Sequence, residues 1–179
     1  CAACSTGQEP YSLAMMMEEL RPQYPRIKLD ILATDISERC LEKAQAGLYT
    51  QFEVQRGLPI QMMVKHFEKV DDMWRLSSKI RQAVRFKKLN LLEDLRMVGR
   101  QDVVYCRNVL IYFDIETKRR VLEQISTLLP DDGFLFLGAA ETVLGITDAF
   151  KPMPGTRGLY IKNTAAGATA MPRLRAGAA

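Results

Sequence analysis

Apolar positions along the chain switch between two periods. Just after Pro10, Leu13, Met16, Met17 and Leu20 recur at helical spacing, and Pro10 suits a first helical turn, so a helix is predicted over 10–20. The stretch RPQYP breaks it. IKLDILATD, 27–35, is a β-rich apolar run ending in an acid, and Ser37 ahead of Cys40, Leu41 and Ala44 reads as an N-cap with a helical stripe. The rhythm returns later. DVVYC (102–106) is a short buried-strand pattern, 114–129 is a helix carrying Val121, Leu122, Ile125 and Leu128, and a turn at Pro130–Gly133 precedes the strand FLFLG. GLYIK, 158–162, reads as a last strand.

Alternation of this kind predicts an α/β fold, a mostly parallel twisted sheet with helices on both faces. The exception is 59–88. Period-two pairs there (Trp74 and Leu76, Val84 and Phe86) follow a turn signal at Asp71-Asp72, so the segment reads as a small antiparallel insert anchored by Trp74, within one domain over 1–162. Beyond it, 163–179 is an Ala/Gly-rich tail with too little apolar mass to fold.

Composition adds limits. A chain of 179 residues with 47% apolar content can bury one sizeable core. Its longest apolar runs are far short of the roughly 18 residues of a membrane helix, and no basic-then-apolar leader opens it, so a cytoplasmic setting is expected. Cys1 and Cys4 form C-x-x-C, but no second pair follows and the sole histidine is His66. Small residues buried at a strand end fit better than zinc or redox chemistry, and no metal is expected. His66 reads as a surface or hinge residue. Net charge is only +4, yet 65–88 carries eight Lys/Arg against three acids. Such a run is either a solvated face or a surface for an acidic partner.

In open α/β sheets ligands bind beyond the carboxyl ends of the strands. Collected there are Thr6, Gly7 and Glu9 in STGQEP, Asp35 after the second strand, Asn90 and Leu91 in LNLLED, and Arg107, Asn108 and Tyr112 after DVVYC. A carboxylate at Asp35 suits the vicinal hydroxyls of a ribose. G-x-G-x-x-G is absent, and Glu9 stands where a pyrophosphate would meet a like charge. A nucleoside carrying an ammonium and no phosphate fits better, and S-adenosylmethionine is one.

The ordered set CSTGQEPYS, ATDIS, NLL and VVYCRNVLIYF, spread over 1–162, resembles the chemotaxis receptor methyltransferases, the CheR family. That resemblance implies a Rossmann-like methyltransferase fold and methyl transfer from S-adenosylmethionine to glutamate side chains of chemoreceptors, with S-adenosylhomocysteine as product. It assigns Glu9 to the amino-acid end of the cofactor, Asp35 to the ribose, and Asn90 and Leu91 to adenine. Arg107 and Asn108 fall between adenosine and methionine, and Tyr112 near the transferring methyl, making Tyr112 and Arg107 the catalytic candidates.

The partners implied are cytoplasmic receptor domains, with a receptor C-terminal peptide at the 59–88 insert, no nucleic acid, no membrane insertion, and a monomeric enzyme. Family members also carry an N-terminal helical domain and a linker arginine outside these 179 residues, so the chain reads as a fragment expected to bind cofactor weakly and methylate poorly alone. Two other readings stand beside this one: a methyltransferase for a small molecule or nucleic acid, and a catalytically silent cofactor-binding module.

Overall fold

The computed structural model describes residues 1–164. The chain divides into two compact units, Cys1–Asn90 and a second beginning at Leu91. No helix among the described residues is long and apolar enough to cross a membrane.

In the first unit, α1 spans Gln8–Leu20, two residues earlier than the apolar spacing predicts. Pro10 thus sits inside the first turn, where its missing N–H leaves no helical bond unmade. Strand β1 covers Ile31–Asp35 only. Residues 27–30 are apolar enough to extend it, but Ile27 and Leu29 are exposed, because the pairing partners of β1 reach no further back than Ile31. Helix α2, Glu38–Ala46, begins as expected on Ser37, whose hydroxyl accepts from the Cys40 N–H (3.3 Å), and closes on Gly47 at φ 60°.

A small antiparallel sheet follows, in the order β2, β4, β3. Its strands are β2 (Leu48–Thr50), β3 (Phe67–Val70) and β4 (Met73–Leu76), with α3 (Gln51–Gln55) and α4 (Ile60–His66) between the first two. The tight turn falls at Asp71-Asp72, with Asp71 at φ 52°. Helix α5, Ser78–Gln82, leads to β5, Val84–Lys88.

Here the sequence reading needs correction. The insert expected over 59–88 is a sheet drawn from 48–76, while β5 lies parallel to β1 in the register Ile31↔Val84 to Asp35↔Lys88. Alternating Val84 and Phe86 identify a strand, but alternation carries no information about its partner or direction. Trp74 is half-buried against the core of this unit, which centres on Cys4, Tyr11, Met15, Ile31, Ala33, Leu76 and Ile80. His66 is also corrected: it is 5% exposed, and its Nε2 lies 2.9 Å from Glu19 at the end of α1.

The second unit holds β6 (Val103–Cys106), α6 (Ile115–Leu128), β7 (Phe134–Leu137), β8 (Phe150–Pro152) and β9 (Leu159–Lys162). Strands β6 and β7 are parallel; β9 lies antiparallel between β7 and β8. Asp114 caps α6 by accepting from the Thr117 N–H (2.7 Å), and the helix buries Val121, Leu122, Ile125 and Leu128, the stripe its sequence displays. The expected tail at 163–179 lies outside the described residues from 165 on.

Candidate active site

Residues 1–4 run beside β1, with a parallel bridge from Ala2 to Thr34 and a bond from the Cys4 N–H to the Thr34 carbonyl (2.8 Å). The chain then turns sharply, with Ala3 (φ 57°), Ser5 (φ 51°) and Gly7 (φ 92°) all in the left-handed region. Non-glycine residues held there cost on the order of 1 kcal/mol each and persist where surrounding contacts enforce them. Those contacts are visible. Ser5 donates its N–H to Asp35 Oδ2 (2.8 Å), and the Tyr49 hydroxyl of β2 donates to the Thr6 carbonyl (2.8 Å).

Asp35 therefore ends β1 as an oriented carboxylate. Its second oxygen accepts from the Ser37 N–H (2.9 Å), and the side chain is half-buried. A carboxylate offers about four lone-pair sites, so acceptor capacity is left for hydroxyl donors from a ligand. The Leu89 N–H donates to the Asp35 carbonyl (3.0 Å), which brings Asn90 to the same rim. Glu9 stands half-buried in the first turn of α1, where the helix dipole favours a negative charge. The first unit thus gathers Thr6, Gly7, Glu9, Asp35 and Asn90 at the carboxyl ends of β1 and β5.

Gly7 also has a packing role that the sequence does not show. A Cβ there would stand 2.9 Å from the Cβ of Ala44 in α2, so its missing side chain admits that helix. Leu91 is likewise buried, at 7% exposure, whereas Leu92 is 41% exposed. Cys4 is buried and its thiol is pushed up to about 12, first by desolvation and then by the nearby Asp35 charge. All four cysteines are free thiols, and among the described residues no group of three or more His, Cys, Asp or Glu could hold a metal.

In the second unit, β6 is followed by Arg107 and Asn108, both exposed, with Asn108 at φ 60°. Asparagine tolerates that conformation better than most residues. A short 3-10 turn, Leu110–Tyr112, follows and presents the Tyr112 side chain 78% exposed. Beneath the loop lies a residue that the sequence did not single out. Glu141 is 9% exposed, and its two oxygens accept from the backbone N–H groups of Asn108 (2.8 Å), Val109 (3.0 Å), Leu110 (2.8 Å) and Gly138 (2.6 Å). Nothing in the local string AAETVLG marks it, since its partners at 108–110 lie more than thirty residues away along the chain.

An α/β chain whose parallel strands end in a carboxylate at Asp35 and a polar loop at Arg107–Tyr112 has the Rossmann-like fold of S-adenosylmethionine-dependent methyltransferases. A family model described as CheR methyltransferase, SAM binding domain, matches residues 1–159, and the chain belongs to that family. The chain is 38% identical over 164 residues to a chemotaxis protein methyltransferase of Vibrio parahaemolyticus, covering 90% of this chain and 60% of that one. It is 40% identical over 165 residues to chemotaxis protein methyltransferase 1 of Pseudomonas aeruginosa, with the same coverage. The chain thus spans about 60% of the length of these curated relatives. Among solved structures, magnesium protoporphyrin IX methyltransferase from Synechocystis PCC 6803, with bound SAH, superposes with a TM-score of 0.46 at 21% identity, over 80% of this chain and 47% of that one.

Proposed function

We propose that this chain is the catalytic domain of an enzyme that methylates glutamate side chains of chemoreceptors from S-adenosylmethionine, leaving γ-methyl esters. The observation that carries the reading is the Asp35 carboxylate, aimed by two backbone N–H groups at the rim where β1 ends. Asp35 takes the ribose hydroxyls and Glu9 the ammonium of the methionine moiety. The Thr6–Gly7 backbone borders the site, and Asn90 takes the adenine edge. Leu91, being buried, contributes through its main chain. Arg107 and Asn108 hold the region between adenosine and methionine.

Bound there, the cofactor supplies a methyl already activated by its sulfonium charge. A glutamate carboxylate is ionised at neutral pH, so the protein needs no strong general base. Its residues instead orient the acceptor and exclude water, effects that together can be worth several kcal/mol. Tyr112, exposed on a short fixed turn, orients the acceptor carboxylate by donating its hydroxyl proton in a hydrogen bond. The partners are cytoplasmic domains of methyl-accepting receptors, with the small antiparallel sheet as the place where a receptor peptide docks, and the enzyme acts as a cytoplasmic monomer.

The deciding measurement is a calorimetric titration of the intact protein with S-adenosylhomocysteine, repeated on Asp35→Ala. At about 1.5–3 kcal/mol for hydrogen bonding to a charged group, the variant should bind roughly 10- to 150-fold more weakly. Equal affinity of the two proteins, or displacement of the nucleoside by NADH, would refute the reading.

A further inference from the structure

A glutamate buried beneath a loop and ringed by main-chain donors is a costly device for holding the loop alone. A serine or a water could cap one or two of those N–H groups, whereas an ionised carboxylate accepts all four at once and with charge assistance. Three consecutive donors, Asn108 to Leu110, converge on Glu141 in the manner of an anion-binding nest, and Gly138 supplies the fourth from the end of β7. The site is built to fit. A Cβ on Gly138 would stand 2.7 Å from Glu141 Oε2 and 3.0 Å from the Asn108 nitrogen.

The clamp reaches the exposed groups above it through the main chain. Tyr112 donates its N–H to the Val109 carbonyl (3.2 Å) and Phe113 to that of Leu110 (3.0 Å), so the 3-10 turn is hung on residues whose own N–H groups Glu141 holds. Asn108 is kept at φ 60° by the same bonds. We infer that Glu141 is a positioning residue for methyl transfer: without touching cofactor or acceptor, its carboxylate sets the backbone from which Asn108 and Tyr112 act. This rests on the methyltransferase function proposed for the chain. Charge and shape are both required. A glutamine of the same size turns an amide N–H₂ toward two of the four donors, which are then left without acceptors in a buried place.

The test uses the intact protein with Glu141→Gln, Gly138→Ala and the double variant. Readouts are S-adenosylhomocysteine affinity, kcat and KM for methyl transfer, and thermal unfolding. For E141Q the folded protein should bind the nucleoside about tenfold more weakly at unchanged stoichiometry, and kcat should fall about 100-fold with acceptor KM changed less than about threefold. G138A, which displaces the carboxylate without removing its charge, should give the same pattern more mildly, and the double variant should be no worse than E141Q because both act on one clamp. A lowered Tm with wild-type Kd and kcat in the folded protein overturns the inference, as do additive losses.

If neither variant folds, amide exchange in the wild-type protein decides. The N–H groups of 108, 109, 110 and 138 should exchange together, about 100-fold or more slowly than open loop amides, and rapid exchange overturns the inference. Wild-type protein that binds no S-adenosylhomocysteine sinks the methyltransferase reading itself. Wild-type binding alongside undiminished binding and turnover in E141Q removes the positioning role alone.

Discussion

Single atoms decide several outcomes. Gly7 already holds φ 92°, and a methyl group there would press on Ala44 at 2.9 Å. Gly7→Ala should therefore cost about 1–3 kcal/mol, a drop in Tm of roughly 2–10 °C by differential scanning calorimetry. Tyr112→Phe removes one hydroxyl from an exposed ring, so nucleoside affinity should hold while kcat falls about 10- to 100-fold. Equal loss of binding and turnover would remove Tyr112 from the acceptor's side of the chemistry. At this scale much of the candidate rim was legible. Asp35 announces itself because it ends a strand signal directly, and the carboxyl end of a parallel strand is where ligands collect, while Glu9 stands at the start of a helix signal. Glu141 does not announce itself, since what defines it is four backbone donors brought in by tertiary structure, and the packing of Gly7 on Ala44 is equally invisible in the sequence.

The elements of the first unit share a sensitivity to alkali. Burial pushes the Cys4 thiol up to about 12 and the Tyr11 hydroxyl, which donates to the Ala44 carbonyl (2.7 Å), also up to about 12; the Tyr49 hydroxyl is raised too, again mainly by desolvation. Each group keeps its proton in the folded state and yields it more readily when unfolded. Stability from these groups is therefore intact below about pH 9 and declines between about pH 9 and pH 12, by an order of a few kcal/mol. Urea unfolding across that window should show the decline, and Tyr11→Phe with Cys4→Ala should flatten it. A slope unchanged by both substitutions would show that other groups govern it. The same protonated thiol predicts that iodoacetamide at pH 8 leaves Cys4 unmodified until the chain unfolds, because the thiolate is the reactive form. Helices were the easiest elements to read, since α2 and α6 carry both a cap and an apolar stripe. β5 was read into the wrong sheet because a five-residue alternation is equally at home against a hairpin neighbour or a parallel one.

For the molecule as a whole, the basic run at 65–88 is less open than its charge count suggests. Lys65 pairs with Glu19 (2.8 Å), Lys79 with Glu18, Arg85 with Asp30 (2.9 Å) and Lys88 with Glu38 (3.0 Å). Arg81 lies over Gly47 with its Nε buried. Lys69 and Lys87, both exposed, lie outside these pairs. A receptor segment recognised by charge on the small sheet should respond to Lys69 of β3, so Lys69→Ala should weaken receptor binding about 3-fold and flatten its salt dependence, while Lys87→Ala and Arg85→Ala in β5 change it little. Surface plasmon resonance at two ionic strengths distinguishes this from a merely solvated face, for which none of these changes matters. Overall charge was readable from composition; which cations are already neutralised depended on acids brought from residues 18, 19, 30 and 38.

The contact between Gly7 and Ala44 has one more implication. Ala44 of α2, fully buried, acts as a shim under the turn at Ser5–Gly7. Thickening it by a methylene or two would press on that turn from below, so Ala44→Val should lower stability much as Gly7→Ala does and strain the bond by which the Tyr49 hydroxyl holds the Thr6 carbonyl.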